Sequence, residues 1–268
     1  MARFPTGLVS VVLLFLASFQ SANAGIVWHW NDSFSAGEKA KLQRWITETV
    51  AGVERAVAPF PFDVHINFYR AGRGSSPVPW ANTIRSRRQG VNFHVNPEHS
   101  LAALRSDWTA AHELSHLLVP YVGRRHAWFA EGFASFMQYQ VMQELDVIEP
   151  DEANSRYRAK ITRAKRGYDL HDLPFVDAAR TLAARRQYPT MYWGGAVYFL
   201  QMDRQLRARG SSMLDVLQQF VDCCRHQRHG FDGLIAELDR IASAPVFSRR
   251  LDAWRVQPGF PDASEVWQ

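Results

Sequence analysis

His112, Glu113 and His116 have the residue types and the spacing of a zinc hydrolase site. Positions four apart lie on one face of a helix, so the two imidazoles can bind a single metal ion while Glu113 projects beside them toward a bound water. Zinc activates such a water, and the carboxylate acts as its general base. The alternative is an ordinary helix with two histidines, because a pattern this short also arises by chance.

Glu131 is the candidate third ligand. Pro120 ends the first helix about one turn after His116, and the short stretch over residues 121–126 can only turn the chain back. Glu131 then lies about one turn into the next helix, which brings it level with His116 and lets its carboxylate complete the coordination. A site with three histidines is excluded, because valine occupies the two later positions at which that class has glycine and histidine.

The elements around these residues change in kind along the chain. Ser35 is a plausible N-cap for an amphipathic helix over residues 36–56, and alternation predicts strands over residues 63–69 and 91–95, with a loop between them. Residues 27–30 are a weaker strand candidate. Later helices are predicted over residues 107–119, 127–145, 151–166, 175–184, 191–208, 212–225 and 231–241. Strands early and helices late predict an α+β fold.

Three segments resemble the catalytic domain of the thermolysin-like gluzincin metallopeptidases, and most closely the aminopeptidase N-type and glycyl aminopeptidase-type enzymes. They are residues 112–116, residues 128–134 and residues 192–196. The resemblance implies a zincin-like fold, Zn2+ held by His112, His116 and Glu131, and an oxyanion stabilised by the hydroxyl of Tyr192. Tyr188 is the competing candidate for that last role. The resemblance also likens residues 91–95 to the edge strand that pairs with peptide substrate, an ordinary strand being the alternative.

The sequence departs from those aminopeptidases in two respects. The interval between His116 and Glu131 is short, and no Gly-x-Met-Glu-Asn segment is present to bind the amino terminus of a substrate. Cleavage of internal peptide bonds is therefore favoured. We expect one gluzincin-like catalytic domain over residues 25–268, with an α+β subdomain (25–119) that carries the active-site helix and a helical subdomain (120–268).

Residues 1–24 have the pattern of a cleaved signal peptide: a basic residue, an apolar run of about ten residues, and a small-x-small cleavage site before Gly25. The apolar run is too short for a membrane-spanning anchor. The sequence thus predicts a periplasmic or secreted zinc metallopeptidase acting on a peptide or protein substrate, without stable membrane insertion. The alternatives are a catalytically idle binding or scaffolding protein of the same fold, and a zinc amidase acting on cell-wall peptide.

The remaining polar features indicate no second function. The formal charge of +5 is mild, and no phosphate-binding glycine loop occurs, so nucleic-acid binding is not expected. The basic run over residues 156–166 is interpreted as a solvated helix face, with an acidic partner as the alternative. His94 and His126 are interpreted as structural. Cys223 and Cys224 are expected to be buried thiols, because adjacent helical residues diverge, although an intermolecular bridge stays open.

Overall fold

The computed structural model describes residues 25–227 and 230–267, and the predicted signal peptide lies outside them. The chain is 59% helical and contains a small four-stranded sheet, so the predicted α+β class is confirmed. Within the two described ranges, no helix combines the length and the apolar character needed to cross a membrane. The division into two subdomains stays a prediction.

The sheet comprises four strands in the spatial order β1-β2-β4-β3. The strands are β1 (Ile26–Trp30), β2 (Val64–Arg70), β3 (Trp80–Arg85) and β4 (Gln89–Val95). β1 and β4 both run parallel to β2, whereas β3 pairs antiparallel with β4. β1 and β3 are therefore the two edge strands of the sheet.

The likening of residues 91–95 to an edge strand is wrong, because they belong to β4, which lies between β2 and β3. The edge strand β3 falls instead in the stretch that was predicted to be a loop. None of the side chains of β3 is fully buried, and its apolar residues do not alternate with polar ones. An edge strand with one neighbour does not need the alternation of buried apolar residues by which an inner strand is recognised.

The first helix, α1 (Ala36–Ala56), has the predicted bounds and begins with a capping box. The Ser35 hydroxyl accepts a hydrogen bond from the backbone N–H of Glu38, and the Glu38 carboxylate accepts one from the backbone N–H of Ser35. The helix packs its apolar face against the sheet, and the Trp45 ring lies 5.4 Å from the ring of Phe93 on β4. Helix α1 therefore covers one face of the sheet.

Nine further helices follow within the described ranges. They are α2 (Leu101–Ser106), α3 (Thr109–Ser115), α4 (Ala127–Glu144), α5 (Pro150–Arg166), α6 (Phe175–Ala184), α7 (Tyr188–Arg207), α8 (Met213–Cys223), α9 (Phe231–Ile241) and α10 (Val246–Val256). Short 3-10 helices span His116–Leu118, Arg124–His126 and Ser264–Trp267. The sequence analysis missed α2, which has fewer than two turns, and α10. It also extended α3 too far, because the turn before Pro120 is 3-10 rather than α-helical.

Glycines bring α4 and α7 into close contact. A Cβ atom on Gly132 would lie 2.3 Å from the backbone carbon of Gly195, and one on Gly195 would lie 2.1 Å from the carbonyl oxygen of Trp128. No larger residue fits at either position without separating the two helices. Gly132 and Gly195, which belong to the segments 128–134 and 192–196, thus set the distance between α4 and α7.

Cys223 and Cys224 form a disulfide with each other, so the expectation of two buried thiols is wrong. Cys223 is the last residue of α8, and Cys224 lies beyond it with φ −135° and ψ −12°. The divergence of adjacent side chains inside a helix does not apply to this pair, because only the first of the two is helical. Cys224 is buried, whereas Cys223 is exposed.

Candidate metal centre

The three predicted metal ligands converge on one point between α3 and α4. His112 and His116 are 2% and 4% exposed, and their Nε2 atoms lie 3.3 Å and 3.4 Å from Oε2 of Glu131. All three donor atoms lie within 4.8 Å of one another. The chain reverses through Pro120 and the 3-10 turn at Arg124–His126, which places Glu131 opposite the end of α3.

These separations fit a zinc ion. Four-coordinate zinc with bonds of about 2.0 to 2.2 Å holds neighbouring ligand atoms about 3.3 Å apart, which matches both nitrogen-to-oxygen distances. Two imidazole nitrogens and one carboxylate oxygen are the donor set of hydrolytic zinc sites, in which the fourth position takes water or substrate. The residues present and these two separations therefore fit zinc, and the role of the three residues as ligands stays a prediction.

Gln138 orients the first of the two histidines. Its Oε1 atom lies 3.0 Å from Nδ1 of His112, and the side chain is buried. Because an amide oxygen only accepts, the proton lies on Nδ1 of His112, and the lone pair of Nε2 faces the metal position. The sequence analysis did not identify Gln138. The only feature of the sequence that points to Gln138 is its spacing: it follows Glu131 by two turns of α4 and so lies on the same helix face.

The protonation states of two ligands suit metal binding. Burial lowers the pKa of His116, which favours the neutral imidazole that a metal requires. Burial alone would raise the pKa of Glu131, but the adjacent His116 and His112 outweigh that effect and hold the pKa well below its usual range. Glu131 is therefore a carboxylate at neutral pH.

The candidate general base is held by the edge of the sheet. Oγ1 of Thr83 on β3 lies 2.7 Å from Oε2 of Glu113 and 2.9 Å from the carbonyl oxygen of the same residue. A threonine has one hydroxyl proton, so it donates to one of these oxygens at a time. This contact joins β3 to α3 across thirty positions of sequence, and the sequence analysis missed it because it placed Thr83 in a loop.

Tyr192 lies against the same cluster from α7. Its ring is 5.9 Å from the ring of His112. Burial, followed by the negative charges of Glu131 and Glu113, raises the pKa of Tyr192 well above its ordinary value, so the hydroxyl keeps its proton. Tyr188 lies one turn earlier on α7, is 44% exposed, and contacts the Tyr192 ring at 6.3 Å. The arrangement favours Tyr192 over Tyr188 as the hydrogen-bond donor.

A cavity of about 580 Å³ adjoins the cluster. Gln138 and Tyr192 line it together with aromatic side chains and two basic residues of α5. The main lining residues are Trp108, Tyr139, Trp193, Lys160 and Arg163. The outward residues of the basic run are exposed, as predicted, but Lys160 and Arg163 also contribute to this cavity beside the site.

His94 and His126 stay apart from the metal cluster. The ring of His94 stacks on Tyr69 at 4.8 Å, and the ring of His126 stacks on Phe231 at 3.8 Å. Neither belongs to the group of converging ligands. Both contacts fit the structural role that the sequence analysis assigned to them.

Comparisons with known proteins bear on the fold. No protein-family model matches the chain, and a search of curated proteins finds no similar sequence. The chain is similar in structure to an aminopeptidase N family protein from Idiomarina loihiensis, with a TM-score of 0.61, 16% identity, and coverage of 91% of this chain and 46% of that one. It therefore spans about half the length of the solved structures it matches.

Two M1 zinc metallopeptidase structures are also similar. One is a two-domain variant bound to L-tryptophan, with a TM-score of 0.52, 12% identity, and coverage of 87% of this chain and 49% of that one. The other is a variant from Deinococcus radiodurans bound to a Tyr-Ser-Ala substrate, with a TM-score of 0.50, 12% identity, and the same coverages. The chain has the gluzincin-type metallopeptidase fold that its motifs predicted.

Proposed function

We propose that the chain is a zinc-dependent peptidase. The observation that carries the proposal is the convergence of His112, His116 and Glu131 at zinc-ligand separations, together with the carboxylate of Glu113, whose charge acts on His112. A zinc ion held there would polarise the scissile carbonyl and acidify a water molecule, the chemistry that it supplies in zinc hydrolases. The structural neighbours, which are zinc metallopeptidases, support the same reaction class.

The protein's own residues would then move the proton and stabilise charge. Glu113 accepts a proton from the attacking water and delivers it to the leaving nitrogen, while the hydrogen bond from Thr83 fixes the orientation of its carboxylate. The protonated hydroxyl of Tyr192 donates a hydrogen bond to the oxyanion, a contribution of about 3 to 4 kcal/mol in other hydrolases. An idle scaffold would need neither a general base nor a residue that orients it.

The edge of the sheet and the adjoining cavity suit an extended peptide. Within the described residues β3 pairs with β4 alone, so its outer edge offers main-chain groups to which a peptide can add as a further strand. The cavity of about 580 Å³ can take a side chain next to the scissile bond. Because the chain has no Gly-x-Met-Glu-Asn segment to bind a free amino terminus, we propose internal peptide bonds as its targets.

Metal analysis combined with a peptide library tests the proposal. We expect one zinc per chain, cleavage of peptides that are blocked at both ends, and loss of cleavage after chelation with recovery on adding zinc. Stoichiometric zinc without cleavage of any peptide would support the scaffolding alternative instead. We also propose export to the periplasm or medium, for which the N-terminal sequence of the mature protein should begin at Gly25.

A further inference from the structure

Two arginines lie where the active-site helix ends. The Nε atom of Arg85, at the end of β3, donates to the carbonyl oxygen of His116 at 3.2 Å. The Nε atom of Arg225, which follows α8, donates to the carbonyl oxygen of Leu117 at 2.9 Å. These contacts satisfy carbonyl groups at the end of a helix, where positive charge is favoured. They occupy only one nitrogen of each guanidinium.

The charge of Arg85 is only partly offset, by the negative charges of Glu131 and Glu113, which act from beyond ion-pair distance. Neither arginine forms an ion pair with a carboxylate within the described ranges. Nη2 of Arg85 is buried without a hydrogen-bond partner, while Nη2 of Arg225 donates to the amide oxygen of Gln89 at 2.6 Å. Burial, followed by the charge of Arg85, lowers the pKa of Arg225 to about 10. Buried charges in proteins are normally paired directly, so a carboxylate bound at this pair would be favourable.

The two guanidiniums line a cavity of about 480 Å³, which we call the arginine pocket. Gln89, Tyr121 and His226 also line it, and none of the lining residues that the structure describes is acidic. The Arg85 guanidinium lies 6.0 Å from the centre of the Tyr121 ring, which is 55% exposed. The pocket is therefore open to solvent and presents hydrogen-bond donors to an incoming anion.

The position of the arginine pocket relates it to the reaction. Arg85 follows Thr83 by two residues on β3, so both side chains leave the same face of the strand, about 7 Å apart. The Thr83 hydroxyl contacts the carboxylate of Glu113, the proposed general base. A peptide can extend along the outer edge of β3 with its scissile bond at Glu113. A group one or two residues from that bond would then lie at Arg85.

We propose that the arginine pocket binds a carboxylate of the peptide substrate, one or two residues from the scissile bond. Arginine guanidiniums bind carboxylates through two parallel hydrogen bonds, and both Arg85 and Arg225 line this pocket. The carboxylate can come from an aspartate or glutamate side chain or from the C-terminus of a short peptide. The proposal rests on the peptidase function proposed above and adds its substrate class.

Matched peptides separate the two sources of the carboxylate. One set carries Glu or Gln at each of the two positions on either side of the scissile bond, with both ends blocked. The other set carries a free or an amidated C-terminus at the same distances. We expect kcat/KM for at least one carboxylate peptide to exceed that of its neutral match by about tenfold to hundredfold, the range of a charge-assisted hydrogen bond. The preferred set identifies the source.

Variants then assign the preference to the pocket. R85Q should bring the carboxylate-to-neutral ratio close to one, R85K should keep part of it, and R87Q, on an exposed residue of the same hairpin, should leave it unchanged. A purely structural role of Arg85 would lower kcat/KM for both peptides equally and leave the ratio intact. Thermal melting and zinc content of each variant show that it is folded. An unchanged ratio in R85Q, or no preference in the unmodified protein, overturns the proposal.

Calorimetry of the binding of the same peptides tests the arginine pocket separately from the proposed peptidase function. If no peptide is cleaved but the carboxylate peptide binds at least tenfold more tightly than its neutral match, and R85Q removes the difference, the pocket is supported and the peptidase function is not. If peptides are cleaved without any preference for a carboxylate, the peptidase function stands and the arginine pocket does not. Equal binding of both peptides in the absence of cleavage contradicts both.

Discussion

A single methyl group at Gly195 should separate α4 from α7 and displace Tyr192 from the metal centre. In the G195A variant the added Cβ atom would lie 2.1 Å from the carbonyl oxygen of Trp128 and 3.0 Å from the Cα atom of Gly132. A carbon and an oxygen that are not bonded approach to about 3.3 Å at closest. The two helices must therefore move apart by about 1 Å, and Tyr192 lies one turn before the substituted residue.

This displacement should lower both the stability of the protein and its catalytic rate. Overpacking of this kind destabilises by about 1 to 3 kcal/mol, and the gain of about 0.5 to 1 kcal/mol from replacing glycine by alanine in a helix does not offset it. For a chain of this size we expect the melting temperature to fall by roughly 2 to 8 °C. A shift of about 1 Å in a catalytic group costs about a hundredfold in rate, so kcat should fall far more than stability alone implies.

G37A is the matched control, because a Cβ atom on Gly37 of α1 would have no other atom within 4 Å. We expect this variant to melt at the same temperature as the unmodified protein or slightly higher, with unchanged kcat. Thermal melting and steady-state cleavage of one peptide by both variants provide the comparison. If G195A retains the melting temperature and the kcat of the unmodified protein, the close helix contact does not position Tyr192 and the reasoning fails.

Three further substitutions test the residues around the cluster. Q138L should weaken zinc binding by about tenfold to hundredfold in competition with a chelator, because it removes the acceptor that fixes His112; unchanged affinity would refute that role. Y192F should lower kcat by about a hundredfold or more while Y188F leaves it nearly unchanged, and the reverse result would transfer the oxyanion role to Tyr188. T83V should lower kcat about tenfold with zinc content intact, and T83S should restore it; equal losses in both would show that the Thr83 hydroxyl is not what matters.

The metal cluster could be anticipated because its geometry is mostly local. His112 and His116 belong to one short helix, and Glu131 returns across a single turn after Pro120. The positions of the ligands do not depend on whether α3 ends in an α-helical or a 3-10 turn, because the two endings differ by little over the last few residues. The class of the fold followed in the same way from the order of strands and helices.

The supporting contacts could not be anticipated, because they join residues that are far apart in sequence. The hydrogen bond from Thr83 to Glu113 spans thirty positions, and that from Arg225 to the carbonyl of Leu117 spans 108. No local periodicity reports such partners. β3 was not recognised because the alternation of apolar and polar residues that marks β2 and β4 is absent from this edge strand. The close contact at Gly195 likewise depends on the packing of α4 against α7, which the local sequence does not reveal.

The most direct test of the central claim is turnover by the E113Q variant with its zinc content measured in the same preparation. Glutamine keeps the size of the side chain and an oxygen that can accept the hydrogen bond from Thr83, but it cannot take a proton from water. We predict one zinc per chain, unchanged thermal stability and loss of peptide cleavage by at least about a hundredfold. Cleavage at the rate of the unmodified protein, with zinc bound, would contradict the proposed mechanism.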